Sequence, residues 1–93
     1  MTVQLEQSQA PRKIRFNFNA LAEYEDLTGK SALSFDNPGA SEIRALAYVG
    51  FREADENFPL TLKEVGALLN TENIREVMEA LTHDMSTMNG EKK

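Results

Sequence analysis

From Ile74 to Met88 the apolar residues Ile74, Val77, Met78, Leu81, Met85 and Met88 recur at three- and four-residue steps. That period is helical and gathers them into one stripe, which must be covered if the helix is to leave water favourably. The spacing predicts a helix starting near Thr71, with Glu72 in its first turn, and ending before Gly90 and the lysines that follow it. Its stripe is long and narrow, and the rest of the chain must supply the faces that meet it.

Those faces are legible upstream. Thr61 and Glu64 have the spacing of a capping box, with Leu60 and Val65 placed as a hydrophobic staple and Pro59 outside the helix. Leu62, Val65, Leu68 and Leu69 then form the apolar face of a short helix that Asn70 can close. Before it, Ser41 offers a capping oxygen, and Ile43, Leu46, Ala47, Val49, Gly50, Phe51 and Ala54 make the broadest apolar surface in the chain. So wide a stripe belongs to the central helix. Gly50 within it costs about 1 kcal/mol of helix propensity relative to alanine, which points to close approach by another helix. Nearer the N-terminus, Asn17 or Asn19 caps a helix bearing Ala20, Leu21, Tyr24 and Leu27, closed by Gly29. Asp36, Asn37, Pro38 and Gly39 spell a turn.

Val3 and Leu5 alternate with polar neighbours, and alternation resumes at Ile14, Phe16 and Phe18 after a turn-like stretch from Ser8 to Pro11. A β-hairpin fits this pattern. The fold class is therefore mainly α: a four-helix compact domain preceded by an N-terminal β-hairpin. It forms a single domain over residues 1–93, with 1–12 and 89–93 expected to fray.

Fifteen acidic against ten basic side chains leave a net charge of -5, which repels phosphate backbones and anionic membranes. Cysteine is absent, so neither disulfides nor thiolate metal sites can form. No apolar run approaches the roughly 20 residues that span a bilayer, and the first residues have no apolar signal-peptide core. These properties lead to the expectation of a cytoplasmic protein with no nucleic acid or membrane partner.

The sequence carries no pattern of catalysis. His83 has Glu79 and Glu76 as helical neighbours, but a solvated histidine beside helix-face acids accounts for them better than a metal pair. Glu23, Glu25 and Asp26, and likewise Glu53, Asp55 and Glu56, lack the order of a calcium loop and read as solvated faces. No Gly-x-Ser-x-Gly elbow and no glycine-rich phosphate cradle occurs. The expectation is a non-enzyme with no cofactor, no catalytic residues and no metal site. The helix pair after Leu60 has the outline of a helix-turn-helix, which keeps a small DNA-binding regulator as an alternative. Its second helix, however, presents Glu72, Glu76 and Glu79 with only Arg75 basic near its start.

Three stretches together resemble the tail assembly chaperones of long-tailed phages and related prophages, including those of gene-transfer-agent type. They are IRFNFNALAEYEDLTG (Ile14 to Gly29), EIRALAYVGF (Glu42 to Phe51) and PLTLKEVGALL (Pro59 to Leu69), the last followed by the helix from Asn73 to Met85. The resemblance spans Ile14 to Met85 and rests on folding signals in combination, not on a catalytic motif. It implies a protein of the bacterial host cytoplasm that binds the hydrophobic tape measure protein and helps tail tube subunits assemble around it. It also implies a product absent from the finished virion, and a frameshifted longer form whose slippery run would encode Glu91-Lys92-Lys93. A minor structural tail protein shares the same context.

The binding surface expected for such a role is the apolar stripe of the last helix, Met78, Leu81, Met85 and Met88, with Phe51 and Phe58 nearby. Met78, Met85 and Met88 read equally as core or as interface, since flexible thioethers suit surfaces that accommodate varied partners. Homo-oligomerisation through the same stripe would hide it when no client is bound.

Overall fold

Asn17 is where extended chain becomes helix. In the computed structural model, which describes residues 2–5, 10–32 and 38–88, its Oδ1 accepts from the Ala20 N–H at 3.0 Å. Its Nδ2 donates to Glu53 Oε2 at 2.9 Å, so one side chain both starts the first helix and ties it to the second. Helix α1 runs Phe18–Thr28 and closes as expected on Gly29, whose φ of 72° is the left-handed conformation that glycine adopts without strain. The Gly29 N–H reaches Glu25 O at 2.7 Å.

Helix α2, Ala40–Ala54, is the centre of the molecule, as its wide stripe indicates: Ala45, Leu46, Ala47, Val49, Gly50 and Phe51 are all buried. It packs against α1, against α3 (Leu62–Leu68) and against the strand β2 (Arg12–Lys13). It begins one residue before Ser41, and the first turn is closed by the Glu42 carboxylate accepting from the Gly39 N–H, not by the serine. The turn read at Asp36 to Gly39 lies partly outside the described residues.

The capping box of α3 forms in both directions: Glu64 N–H donates to Thr61 Oγ1 at 3.1 Å and Thr61 N–H to Glu64 Oε1 at 2.8 Å. Asn70 does not close this helix. It opens α4, Thr71–Met88, by accepting from the Asn73 N–H at 2.9 Å, while Asn73 Oδ1 accepts from the Asn70 N–H at 2.7 Å. Asn73 Nδ2 then donates to Leu68 O at 2.9 Å and Gln4 O at 3.4 Å. One buried amide thus joins the end of α3, the start of α4 and the N-terminal segment.

The hairpin is present but short. Strand β1 (Thr2–Val3) pairs antiparallel with β2, Thr2 opposite Lys13 and Val3 opposite Arg12. Residues 6–9 of the loop between them lie outside the described residues. Within the segment expected to fray, Val3 is fully buried and Leu5 nearly so. Strand β1 contacts α4 and β2 contacts α2, so the hairpin couples the two helices. Beyond β2, Ile14 and Phe16 are buried in irregular extended chain, and the Arg15 N–H donates to Gly50 O at 3.0 Å. The element that approaches Gly50 is therefore this segment and not a helix.

Two further expectations fail at α1. Phe18 does not continue the strand alternation; as the first helical residue it is 71% exposed. Leu27 is 49% exposed, although its spacing places it near the buried face. The core closes over Ala20, Leu21 and Tyr24 and ends there. Burial pushes the pKa of the Tyr24 hydroxyl up.

Candidate protein-binding surface

The residues expected to form a binding surface are not one exposed stripe in this structure. Phe51 is fully buried and Leu81 is 8% exposed, both within the core. Phe58, Met78 and Met85 are partly buried and pack against that core, and the side chain of Met88 lies outside the described residues. This placement has a packing cause. The N-terminal segment meets α4, and the Val77, Ala80 and Leu81 side chains that a bare helix would show to water are covered.

Phe58 has its own neighbourhood at the far end of α2. It stacks on Phe51 with centroids 5.1 Å apart and planes 14° apart, and meets Tyr48 edge-on at 6.4 Å. The Arg12 guanidinium sits over its ring, 5.4 Å from the centroid. These contacts make Phe58 a plug on the core. The nearby hollow of about 480 Å³ has the charged Arg12, Lys13 and Asp55 among its walls beside Ala10, Pro11 and Ala54, so its lining is mixed.

Glu25 and Glu76, read above as solvated helix-face acids, serve the fold instead, and so does Asp84. Asp84 Oδ2 accepts from the Phe16 N–H at 2.8 Å, Glu76 Oε1 from the Gln4 N–H at 3.0 Å and Glu25 Oε2 from the Ala32 N–H at 3.1 Å. Two of these carboxylates, on α4, hold the extended N-terminal chain by accepting from its Gln4 and Phe16 N–H groups. His83 is exposed, with Nδ1 3.1 Å from Asp84 Oδ1. Among the described residues no group of three or more histidines and carboxylates is placed to hold a metal ion.

The open apolar concavity lies elsewhere, between the first turns of α2, one face of α3 and the start of α4. It encloses about 800 Å³ and is lined by Ala40, Ser41, Ile43, Arg44, Lys63, Gly66, Ala67, Leu69 and Ile74. Ile43, Leu69 and Ile74 are half-buried, while Ala40 and Ala67 are exposed. Helix α3 has seven residues, about 10 Å of length at the helical rise, against about 22 Å for α2, and leaves part of its neighbour uncovered. A Cβ on Gly66 would lie 2.6 Å from Arg44 Cδ, so the absence of a side chain there lets the arginine stem lie across α3.

Sequence reading passed over this groove. Ile43 and Ile74 look like the ends of buried stripes, and only the second helical glycine, Gly66 in a short helix, signals that something rests on α3.

Comparison with family models, with curated proteins and with solved structures returns no match to this chain.

Proposed function

We propose that this chain binds other polypeptides as a tail assembly chaperone does, holding an apolar segment of the tape measure protein while tail tube subunits assemble. The observation that carries the reading is the groove between α2 and α3, an open apolar hollow of about 800 Å³ on a small acidic domain. Burial of a client's apolar side chains there contributes about 25 cal/mol per Å², less the costs of association. The resemblance of Ile14 to Met85 to the phage family supplies the client's identity. The partly buried Met78 and Met85 add adaptable surface at the edge of the core. The site of action in this reading is the bacterial host cytoplasm, and no helix among the described residues is long and apolar enough to cross a membrane.

Co-expression with the tape measure protein tests this. The expected result is that the long protein, insoluble alone, becomes soluble and copurifies with the chain, and that purified particles lack the chain. A tape measure protein that stays insoluble overturns the proposal. So does tight binding of the chain to random duplex DNA at low salt, the behaviour of a DNA-binding regulator.

A further inference from the structure

We infer that the α2–α3 groove takes an amphipathic helix of another polypeptide whose apolar face is edged by carboxylates. The inference deepens the client-binding reading and rests on it for the partner's biology, while its geometry comes from the groove.

Charge is the first ground. Among the described residues, both ionised side chains in the lining, Arg44 and Lys63, are cationic, in a chain with 15 acidic residues against 10 basic ones. The closest acids in sequence are engaged elsewhere. Glu42 pairs with Lys30 at 2.9 Å and caps α2 through the Gly39 N–H, and Glu64 closes the Thr61 capping box. Among the described residues, neither Arg44 nor Lys63 forms an ion pair. An apolar hollow whose fixed charges share one sign, opposite to that of the whole molecule, selects acidic edges on whatever enters and sets its orientation.

Arg44 also lies along the groove wall. Its stem lies against Gly66, and its Nε is shielded from solvent without an acceptor. Its planar guanidinium fork matches a carboxylate through two parallel hydrogen bonds.

The backbone argues for a helix. The groove is walled by helical segments, and neither β1 nor β2 lines it, so an extended peptide would find no strand edge to pair with. A helix satisfies its own main chain and presents apolar side chains at i, i+3, i+4 and i+7 into such a groove. Ile43, Leu69, Ile74 and Ala67 are the surfaces that would receive them.

The test uses the full chain and a synthetic amphipathic helical peptide with leucines at those positions and glutamates along both edges. A second peptide carries lysine in place of every glutamate. The expected result is that the acidic peptide shifts the amide resonances of Ile43, Gly66, Ala67 and Ile74. Binding of the lysine peptide should be about tenfold weaker, the scale of two exposed ion pairs made repulsive. R44E/K63E should reverse the preference. Lys63 is exposed, so K63E alone carries the same prediction at smaller size if R44E disturbs the α2–α3 packing. Equal affinity for the two peptides, no binding of either, or shifts centred on Phe58 and Met85 overturn the inference.

A co-expression arm separates the two levels. If R44E/K63E and K63E keep the tape measure protein as soluble as the parent chain does, the groove assignment fails and the client-binding reading stands. If the parent chain leaves that protein insoluble yet binds the acidic peptide, the client reading fails and the groove assignment stands.

Discussion

The ring of Phe16 occupies the space that a side chain on Gly50 would need: a Cβ there would lie 2.6 Å from Phe16 Cζ and 2.8 Å from Ile14 Cγ1. The close approach foreseen at this glycine is real, but the partner is the extended N-terminal chain. Gly50→Ala gains up to about 1 kcal/mol of helix propensity and overpacks the core at a cost of about 1–3 kcal/mol. The expected outcome in urea unfolding is a net loss of about 1–2 kcal/mol. Gly66→Ala provides the contrast, because the obstructing Arg44 side chain can swing towards solvent. Its stability should equal the parent's or exceed it by up to about 1 kcal/mol. Equal effects of the two substitutions would refute this account of the glycines.

Asn73 is 2% exposed and holds three chain segments through one amide. Asn73→Ala leaves the Asn70 N–H and Leu68 O without their partner, and should cost about 2–3 kcal/mol. Asn73→Asp keeps an acceptor for Asn70 but turns a carboxylate towards the Leu68 and Gln4 carbonyls, and should cost at least as much. Thermal unfolding of both variants checks the pair, and a mild effect of the aspartate would mean that the donor side of the amide contributes little.

Asp84 supports the Phe16 N–H from α4. Asp84→Ala removes the acceptor and should speed amide exchange at Phe16 and destabilise the chain by about 1–2 kcal/mol. Asp84→Asn keeps an oxygen in reach and should preserve most of that protection. Unchanged exchange at Phe16 in the alanine variant would show that the contact does not hold the segment in solution.

The Gly39 N–H, and after it the Lys30 ammonium, hold the Glu42 carboxyl below its ordinary pKa, while Glu42 raises that of Lys30. For Glu42 the folded state binds the proton less tightly than the unfolded one. Its contribution is therefore complete above the ordinary value of 4.5 and is lost as pH falls through the lower folded value. For Lys30 the contribution is present below 10.5 and is lost as pH rises through the higher folded value. Lys30 is exposed and Glu42 is half-buried at the surface, so solvent screens the pair and the effect is small. The Tm difference between the parent and Glu42→Gln should be largest near neutrality and close as the pH falls through the lowered folded value of Glu42. A gap that stays constant in acid would remove Glu42 from the acid response.

The sequence by itself determined several helix ends whose signal is made of neighbours, although Ser41 and Asn70 do not play the capping parts read for them. Asn17 with Ala20, Thr61 with Glu64 and Gly29 after Thr28 are bonds or backbone preferences spanning one to three residues, so they read directly from order. It also fixed α2 as the central helix, because no narrower face could hide so wide a stripe. Tertiary structure alone decided what covers each face. A helical period states which side chains lie together on one element, but not which other element meets them. The Phe16 to Asp84 bond joins residues 68 apart, and the Gln4 to Glu76 bond residues 72 apart, so neither carboxylate could be told from a solvated one beforehand. The same freedom moved Phe51 and Leu81 into the core and Phe18 into water. It also opened the groove beside Arg44 and Lys63, a surface that exists only because a seven-residue helix lies against a fifteen-residue one.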